Sequence, residues 1–306
     1  MGIKKILVTG SSGTIGTRLS ERLLAEGYHV IGCDWKPNAW NKTVEEKTVR
    51  LDIRDKNKLL LELPKDVDMV IHLAANARVY NLVVEPSMAR DNFETTFNIL
   101  EYCRINNINN FIFASSRETY RNTDKAVHSE DEVELKNCES PYTASKIGGE
   151  ALVHSYNECY GINYITFRFS NVYGMYDDSD RVIPLFIKLC RENKPLVVFG
   201  KDKLLDFTYI DDTINGIIMS IKDYDNVKNN VYNLAYGEGT TILEVAETIK
   251  RMMGTDNKIM VNDNRTGEVV KYIADITRAK NNIGYAPKTT IGEGLRKTID
   301  WYNSNG

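Results

Sequence analysis

An apolar run from Ile3 to Val8 breaks at Gly10 and gives way to a segment from Thr14 to Ala25. The apolar residues Ile15, Leu19, Leu23 and Leu24 of that segment fall on one helical face. The pattern predicts a buried strand, a glycine-rich turn and an amphipathic helix. Further strands are expected at Tyr28–Asp34, Thr48–Leu51 and Val67–Ala75, with a short helix near 55–61 between the last two. A helix from Pro86 to Ile105 carries Phe93, Phe97, Leu100 and Arg104 in register, and a fifth strand runs from Asn110 to Ala114. Short strands alternating with helices predict an α/β fold built on a doubly wound parallel sheet.

Residues 121–139, with acids at 130, 131, 132 and 134, read as an exposed loop. Ser140-Pro141 then supplies a cap and a first-turn proline for a helix running to about Tyr160. A strand at Tyr164–Phe169 follows, and later helices are expected near 181–192, 211–222, 242–253 and 291–303. Neither a repeat nor a linker interrupts the chain. The second, smaller lobe is therefore expected to be interleaved with the first.

Composition narrows the functional classes. The 306 residues suffice for one large α/β domain or two unequal lobes. A net charge of −3 without a basic stripe argues against a nucleic-acid partner. No apolar run has the length of a membrane span, and a strand starting at Ile3 leaves no room for a signal peptide. The five cysteines (33, 103, 138, 159 and 190) lack metal-ligand spacing. They read as reduced thiols of a cytoplasmic protein without a metal site.

The candidate chemistry starts at the first turn, Gly10-x-x-Gly13-Thr14-Ile15-Gly16. Gly10 permits a tight turn, Gly13 lets backbone N–H groups approach a pyrophosphate, and Gly16 lets the helix pack close to the strand. Asp34 ends the second strand about twenty residues on, where a carboxylate accepts ribose hydroxyls and repels a 2′-phosphate. This favours NAD over NADP, although a strand-end Asp can also merely begin a turn. Asp52 and Ile53 are placed to meet an adenine edge, and Leu73-Ala74-Ala75 leaves room for a cofactor across the strand end. His72, inside that strand, reads as a satisfied core histidine.

Tyr142 and Lys146 stand four apart on a helix and share a face. A free tyrosine, with a pKa near 10, is a poor base at neutral pH. A lysine ammonium nearby favours the phenolate and makes tyrosine a usable acid/base group. Ser116, ending the fifth strand, is placed to hydrogen-bond the same substrate oxygen. Such a spacing also decorates many ordinary helices; its position after a nucleotide-binding turn and a serine-ended strand is what points to catalysis.

With these residues assembled, the chain resembles the extended short-chain dehydrogenase/reductases, specifically the NAD-dependent nucleotide-sugar epimerases and dehydratases. The resemblance rests on Gly10/Gly13/Gly16, Asp34, His72-Leu73-Ala74-Ala75, Asn92, Ser115-Ser116 and Ser140-Pro141-Tyr142 through Lys146. It continues through Arg168–Gly174, Val182-Ile183-Pro184, Asp206–Asp212 and Arg265-x-Gly-Glu268. It implies a Rossmann cofactor domain over 1–170 with a return segment around 207–236, and a nucleotide-sugar lobe over most of 171–306. It also implies that Asn92 belongs to the cofactor site and that Asn171 contacts a nucleotide diphosphate. Val182 and Ile183 would line the base pocket, and Arg265 would pair with phosphate, its alternative being a solvated loop charge. A UDP-sugar substrate and a homodimer, formed through the helices after Pro86 and Pro141, complete the expectation.

Three departures stand out. Leu205 replaces the usual phosphate-binding arginine, with Lys201 and Lys203 as possible substitutes. Arg121 stands where glycine is common. The turn Ser116-Arg117-Glu118 carries a glutamate that resembles the proton-abstracting acid of dehydratases and decarboxylases, while Arg117 either pairs with it or binds a sugar carboxylate. The expected activity is NAD-dependent C4 epimerisation with tightly bound NAD. A 4,6-dehydratase or uronic acid decarboxylase using Glu118 is the alternative.

Overall fold

The computed structural model describes residues 2–265 and 269–305; Gly267 and Glu268 of the late motif lie outside the described residues. Among the described residues the strands are β1 (Lys5–Thr9), β2 (His29–Asp34), β3 (Thr48–Arg50), β4 (Met69–His72), β5 (Asn110–Ser116), β6 (Val127–His128) and β7 (Asn163–Phe169). They continue as β8 (Asn171–Tyr173), β9 (Leu196–Phe199), β10 (Leu204–Tyr209), β11 (Asn230–Leu234), β12 (Gly239–Thr241), β13 (Ile259–Asn262) and β14 (Lys271–Ala274). Seven of them form one sheet in the order β11-β7-β5-β4-β1-β2-β3, and every neighbouring pair is parallel.

The apolar runs are split by strand periodicity. Ile6, Val8, Ile71 and Ile112 point into one hydrophobic cluster, whereas Leu7, Val70, Phe111 and Phe113 enter another on the opposite face. A sheet buried on both faces needs such continuous apolar strands. The first cluster runs on without a break into Tyr209, Ile214, Ala246 and Leu295, so the later part of the chain shares a core with the sheet. A smaller sheet, β12-β10-β14-β6 with β8 beside β10, stands over the carboxyl ends of the large one, and β9 pairs with β13.

The order of the large sheet reverses between β1 and β4, and the two following loops touch there. Gly10 has φ +73°, and a Cβ on it would lie 2.8 Å from the Ala74 nitrogen. At Gly16 a Cβ would lie 2.0 Å from the Gly10 carbonyl oxygen, so only glycine admits this helix-on-strand approach. The resulting crevice is where an open parallel sheet receives a nucleotide.

Two expectations change. Residues 121–139 are not simply an exposed loop: His128 and Glu130 are buried, and β6 pairs with β14. Glu130 is tolerated inside because the Asn233 N–H donates to its carboxylate at 2.8 Å, with Arg278 3.8 Å away. On the helix Ser87–Ile105, Leu100 is core, but Phe93 and Phe97 are 42% and 37% exposed. The buried face is instead built with Asn92, Thr96, Ile99 and Cys103. His72 is the expected core histidine: Nδ1 lies 2.7 Å from Thr9 Oγ1 and Nε2 3.3 Å from Thr96 Oγ1, and burial drives its pKa down to about 3. No helix among the described residues is long and apolar enough to cross a membrane.

Candidate active site

A cleft of about 990 Å³ opens between the carboxyl ends of the large sheet and the smaller sheet. Its lining includes Gly10, Gly13–Gly16, Asp34, Asp52, Ile53, Leu73–Ala75, Asn92, Ser116–Glu118, Tyr142, Lys146, Asn171, Val182, Ile183, Lys203 and Arg265. Residues separated by up to 255 positions thus share one cavity.

Its floor is set by β5 and the helix Pro141–Tyr160. Ser140 caps that helix by accepting from the Thr143 N–H at 3.1 Å, and Pro141 fixes its first turn. Gly149 lets the helix lie directly on Phe113, since a Cβ there would come within 2.5 Å of the ring. Tyr142 is thereby carried to the end of β5, beside Ser116. Lys146 lies one turn deeper, where its ammonium donates to the Ala114 carbonyl at 2.8 Å.

The electrostatics differ from the simple activation expected of Lys146. Burial raises the Tyr142 phenol above its ordinary pKa, against which a hydrogen bond with Ser116 pulls only partly. The Lys146 ammonium is 5.9 Å from the centre of the Tyr142 ring and is engaged by Ala114, while burial pushes its own pKa down to about 8. The pair is adjacent but not hydrogen-bonded in this state. Arg117 and Glu118, in the tight turn after β5, form a buried ion pair of 2.8 Å, and the Glu118 charge also raises the phenol.

The cofactor-side residues suit a dinucleotide. Gly13 precedes the helix Thr14–Ala25, and no side chain caps that end, which leaves first-turn N–H groups facing the cleft for a pyrophosphate. Asp34 accepts from the Ser12 N–H at 3.0 Å and from the Lys36 N–H at 2.8 Å, which fixes its carboxylate in the lining of the cleft. Asp52 pairs with Arg54 at 2.7 Å, and that guanidinium holds its carboxyl below the usual range. Asn92 is a brace: it accepts from the Asn76 N–H at 2.7 Å and donates to Ser145 Oγ at 3.2 Å.

Opposite them, Asn171 donates to the Asp206 carbonyl at 2.9 Å. Val182 and Ile183 form the first turn of the helix Val182–Arg191, and Lys203 is buried at the cleft. Arg265 stands in an exposed loop beside the cleft, where its guanidinium lies 4.0 Å from the centre of the Phe199 ring and 5.6 Å from that of Tyr80. Sequence reasoning missed Arg78, Tyr80, Arg181 and Phe199, which all line the cleft. Only Arg181 left a signal, standing immediately before Val182-Ile183-Pro184.

Residues 6–235 match the model of the NAD dependent epimerase/dehydratase family. The chain belongs to that family. It is 34% identical to a putative UDP-glucose 4-epimerase of Methanocaldococcus jannaschii, covering 98% of this chain and 99% of the relative. It is 32% identical to the UDP-glucuronate 4-epimerase of Thermodesulfobacterium geofontis, covering 98% and 96%. The UDP-glucuronic acid 4-epimerase of Bacillus cereus, solved with UDP-glucuronic acid and NAD, superimposes with a TM-score of 0.90 at 30% identity, covering 99% of this chain and all of the other. This family member is thus an NAD-dependent enzyme whose relatives act on nucleotide sugars.

Proposed function

We propose that this enzyme interconverts C4 epimers of a nucleoside-diphosphate hexose, a UDP-sugar in the first instance, and keeps its NAD between turnovers. The observation that carries the reading is the convergence of Tyr142, Ser116 and Lys146 at the end of β5, beside a glycine turn fit for a dinucleotide. Tyr142 Oη, in its phenolate form, takes the proton of the C4 hydroxyl, and Ser116 holds the same oxygen by a hydrogen bond. Lys146, anchored on the Ala114 carbonyl, keeps a positive charge behind the phenol. NAD, when bound, supplies the acceptor and then the donor of the C4 hydride. After the sugar has presented its other face, Tyr142 returns the proton to the oxygen from which it came.

In this reading Gly10, Gly13, Thr14, Ile15 and Gly16 hold the pyrophosphate of NAD. Asp34 takes the ribose, Asp52 and Ile53 meet the adenine, and Leu73-Ala74-Ala75 lies beneath. Asn171 and Lys203 face the substrate diphosphate with Arg265, and Val182 and Ile183 face the base. The cofactor lobe comprises 1–170 with the return segment 207–236, and 171–306 is mainly the substrate lobe. Exposed Phe93 and Phe97, the latter 6.5 Å from the Tyr156 ring of the neighbouring helix, support a homodimer through these two helices. Glu118 in the cleft favours a second reading, a 4,6-dehydratase or uronic acid decarboxylase.

Turnover of UDP-hexoses in D2O separates the two readings. An epimerase incorporates no carbon-bound deuterium and gives a product of unchanged mass. Label at C5 or C6, or a product lighter by water or carbon dioxide, would replace the epimerase assignment with the lyase.

A further inference from the structure

The family resemblance places a phosphate-gripping arginine just ahead of the Asp-Phe-x-Tyr segment, and this chain has Leu205 there, buried at the cleft. Two arginines remote from that position reach the same cavity. Arg78 precedes the short helix Val79–Val84 after β4, and Arg181 precedes the helix Val182–Arg191. One therefore hangs from the large sheet and the other follows β8, which pairs with the smaller sheet. With Arg265 they bring three guanidinium groups to one cavity.

These charges are poorly satisfied by the protein itself. Burial together with the like charges of Arg181 and Arg265 holds Arg78 below the ordinary arginine pKa. Its nearest acid is Asp180, at 3.6 Å, whose side chain is 80% exposed. Arg181 stands 3.9 Å from Asp177. Neither pair has the short, two-bonded geometry that makes an arginine–carboxylate contact strong. Like charges gathered in a partly dry cleft repel one another until an anion enters. A diphosphate offers several oxygens, and a planar guanidinium fork matches two at once.

We propose that Arg78 and Arg181, acting with Arg265, form the diphosphate clamp of this enzyme in place of the arginine missing at 205. Asp180 is a carboxylate placeholder that the diphosphate displaces from Arg78. The inference rests on the nucleotide-sugar reading above. It adds that the bound diphosphate ties the two sheets together across the cleft.

Calorimetric titration of the NAD-loaded enzyme tests it, with UDP, dTDP and GDP as probes and with the free nucleoside of whichever binds tightest. Arg78→Gln and Arg181→Gln should each weaken the nucleoside diphosphate about 10-fold or more and leave the nucleoside within about 2-fold. Adding Leu205→Arg to Arg78→Gln should restore most of the loss. Arg78→Lys, which keeps the charge without the fork, should fall between Gln and wild type and serves if the Gln variant does not fold. Asp180→Asn should tighten the diphosphate about 2–5-fold, the scale of an exposed ion pair.

Unchanged diphosphate affinity in the Gln variants, or an equal loss for nucleoside and diphosphate, would overturn the clamp. Asp180→Asn without tightening would overturn the placeholder. A wild-type enzyme that binds none of the three probes would overturn the nucleotide-sugar reading, and the clamp with it.

Discussion

Arg117 and Glu118, adjacent in the chain, turn toward each other at the end of β5 and meet at 2.8 Å with both side chains buried. Arg117 Nη1 is left buried without a hydrogen-bond partner, and the guanidinium lies 5.8 Å from the centre of the Tyr272 ring. The pair sits close enough to Tyr142 for both charges to act on the phenol, Glu118 raising it and Arg117 lowering it. A carboxylate tied to the neighbouring guanidinium in this way is not free to approach a carbon-bound proton.

Glu118→Gln therefore distinguishes the readings. In an epimerase it has no carbon proton to remove, and turnover should fall less than about 10-fold. Deleting a working base would cost ~100-fold or more. Arg117→Ala is the harsher change, because it strands a buried carboxylate. It should cost about 3–5 kcal/mol of stability in a urea titration.

Tyr142→Phe should lose at least ~100-fold in turnover while the protein still binds NAD. Near-normal turnover would remove Tyr142 from the mechanism. Because burial raises this phenol, a wild-type minus Tyr142→Phe ultraviolet titration of the cofactor-free chain should place its ionisation above that of free tyrosine.

Gly16→Ala puts a methyl group 2.0 Å from the Gly10 carbonyl oxygen and forces the helix off the strand. A destabilisation of about 1–3 kcal/mol is expected, together with loss of retained NAD on gel filtration. Gly292→Ala is the control. It lies in the helix Ile291–Asn305 with nothing within 4 Å of the new methyl, and should gain up to about 1 kcal/mol.

Asp34→Ala removes the carboxylate expected to repel a 2′-phosphate. The ratio of NADP to NAD affinity should rise in fluorescence titrations. An unchanged ratio, or a wild-type enzyme that binds NADP as tightly as NAD, would overturn the cofactor preference.

His72 predicts an acid sensitivity. Its pKa is near 6.5 when unfolded and about 3 in the fold, so the unfolded chain binds the extra proton between those values. Its contribution to stability is complete above pH 6.5 and is lost as the pH falls toward 3. His72→Gln should flatten the dependence of Tm on pH between 6.5 and 4. An identical acid slope in both proteins would assign that slope to other groups.

Much of this architecture was legible before any coordinates because its determinants are local. The helix Thr14–Ala25 follows from apolar spacing, and the helix Pro141–Tyr160 from its Ser140 cap and its first-turn proline. Alternation of strands and helices was enough for the parallel sheet, and the glycine turn with Asp34 for the cofactor reading. Hydrogen bonds that close within a few residues leave their pattern in the chain.

What the tertiary structure alone decided depends on partners far away. Glu130 is buried because Asn233, 103 residues on, donates to it. Phe93 and Phe97 are exposed although their spacing resembles a core stripe, because polar Asn92 and Thr96 bond the β4 loop and His72. Lys146 meets the Ala114 carbonyl instead of the Tyr142 hydroxyl, an outcome set by the seating of the helix on Phe113. Arg78, Arg181 and Arg265 belong to one cleft only after two sheets have been laid across each other. The cost of burying a charge is settled by whatever lies within a few ångströms, and chain spacing carries no record of that neighbourhood.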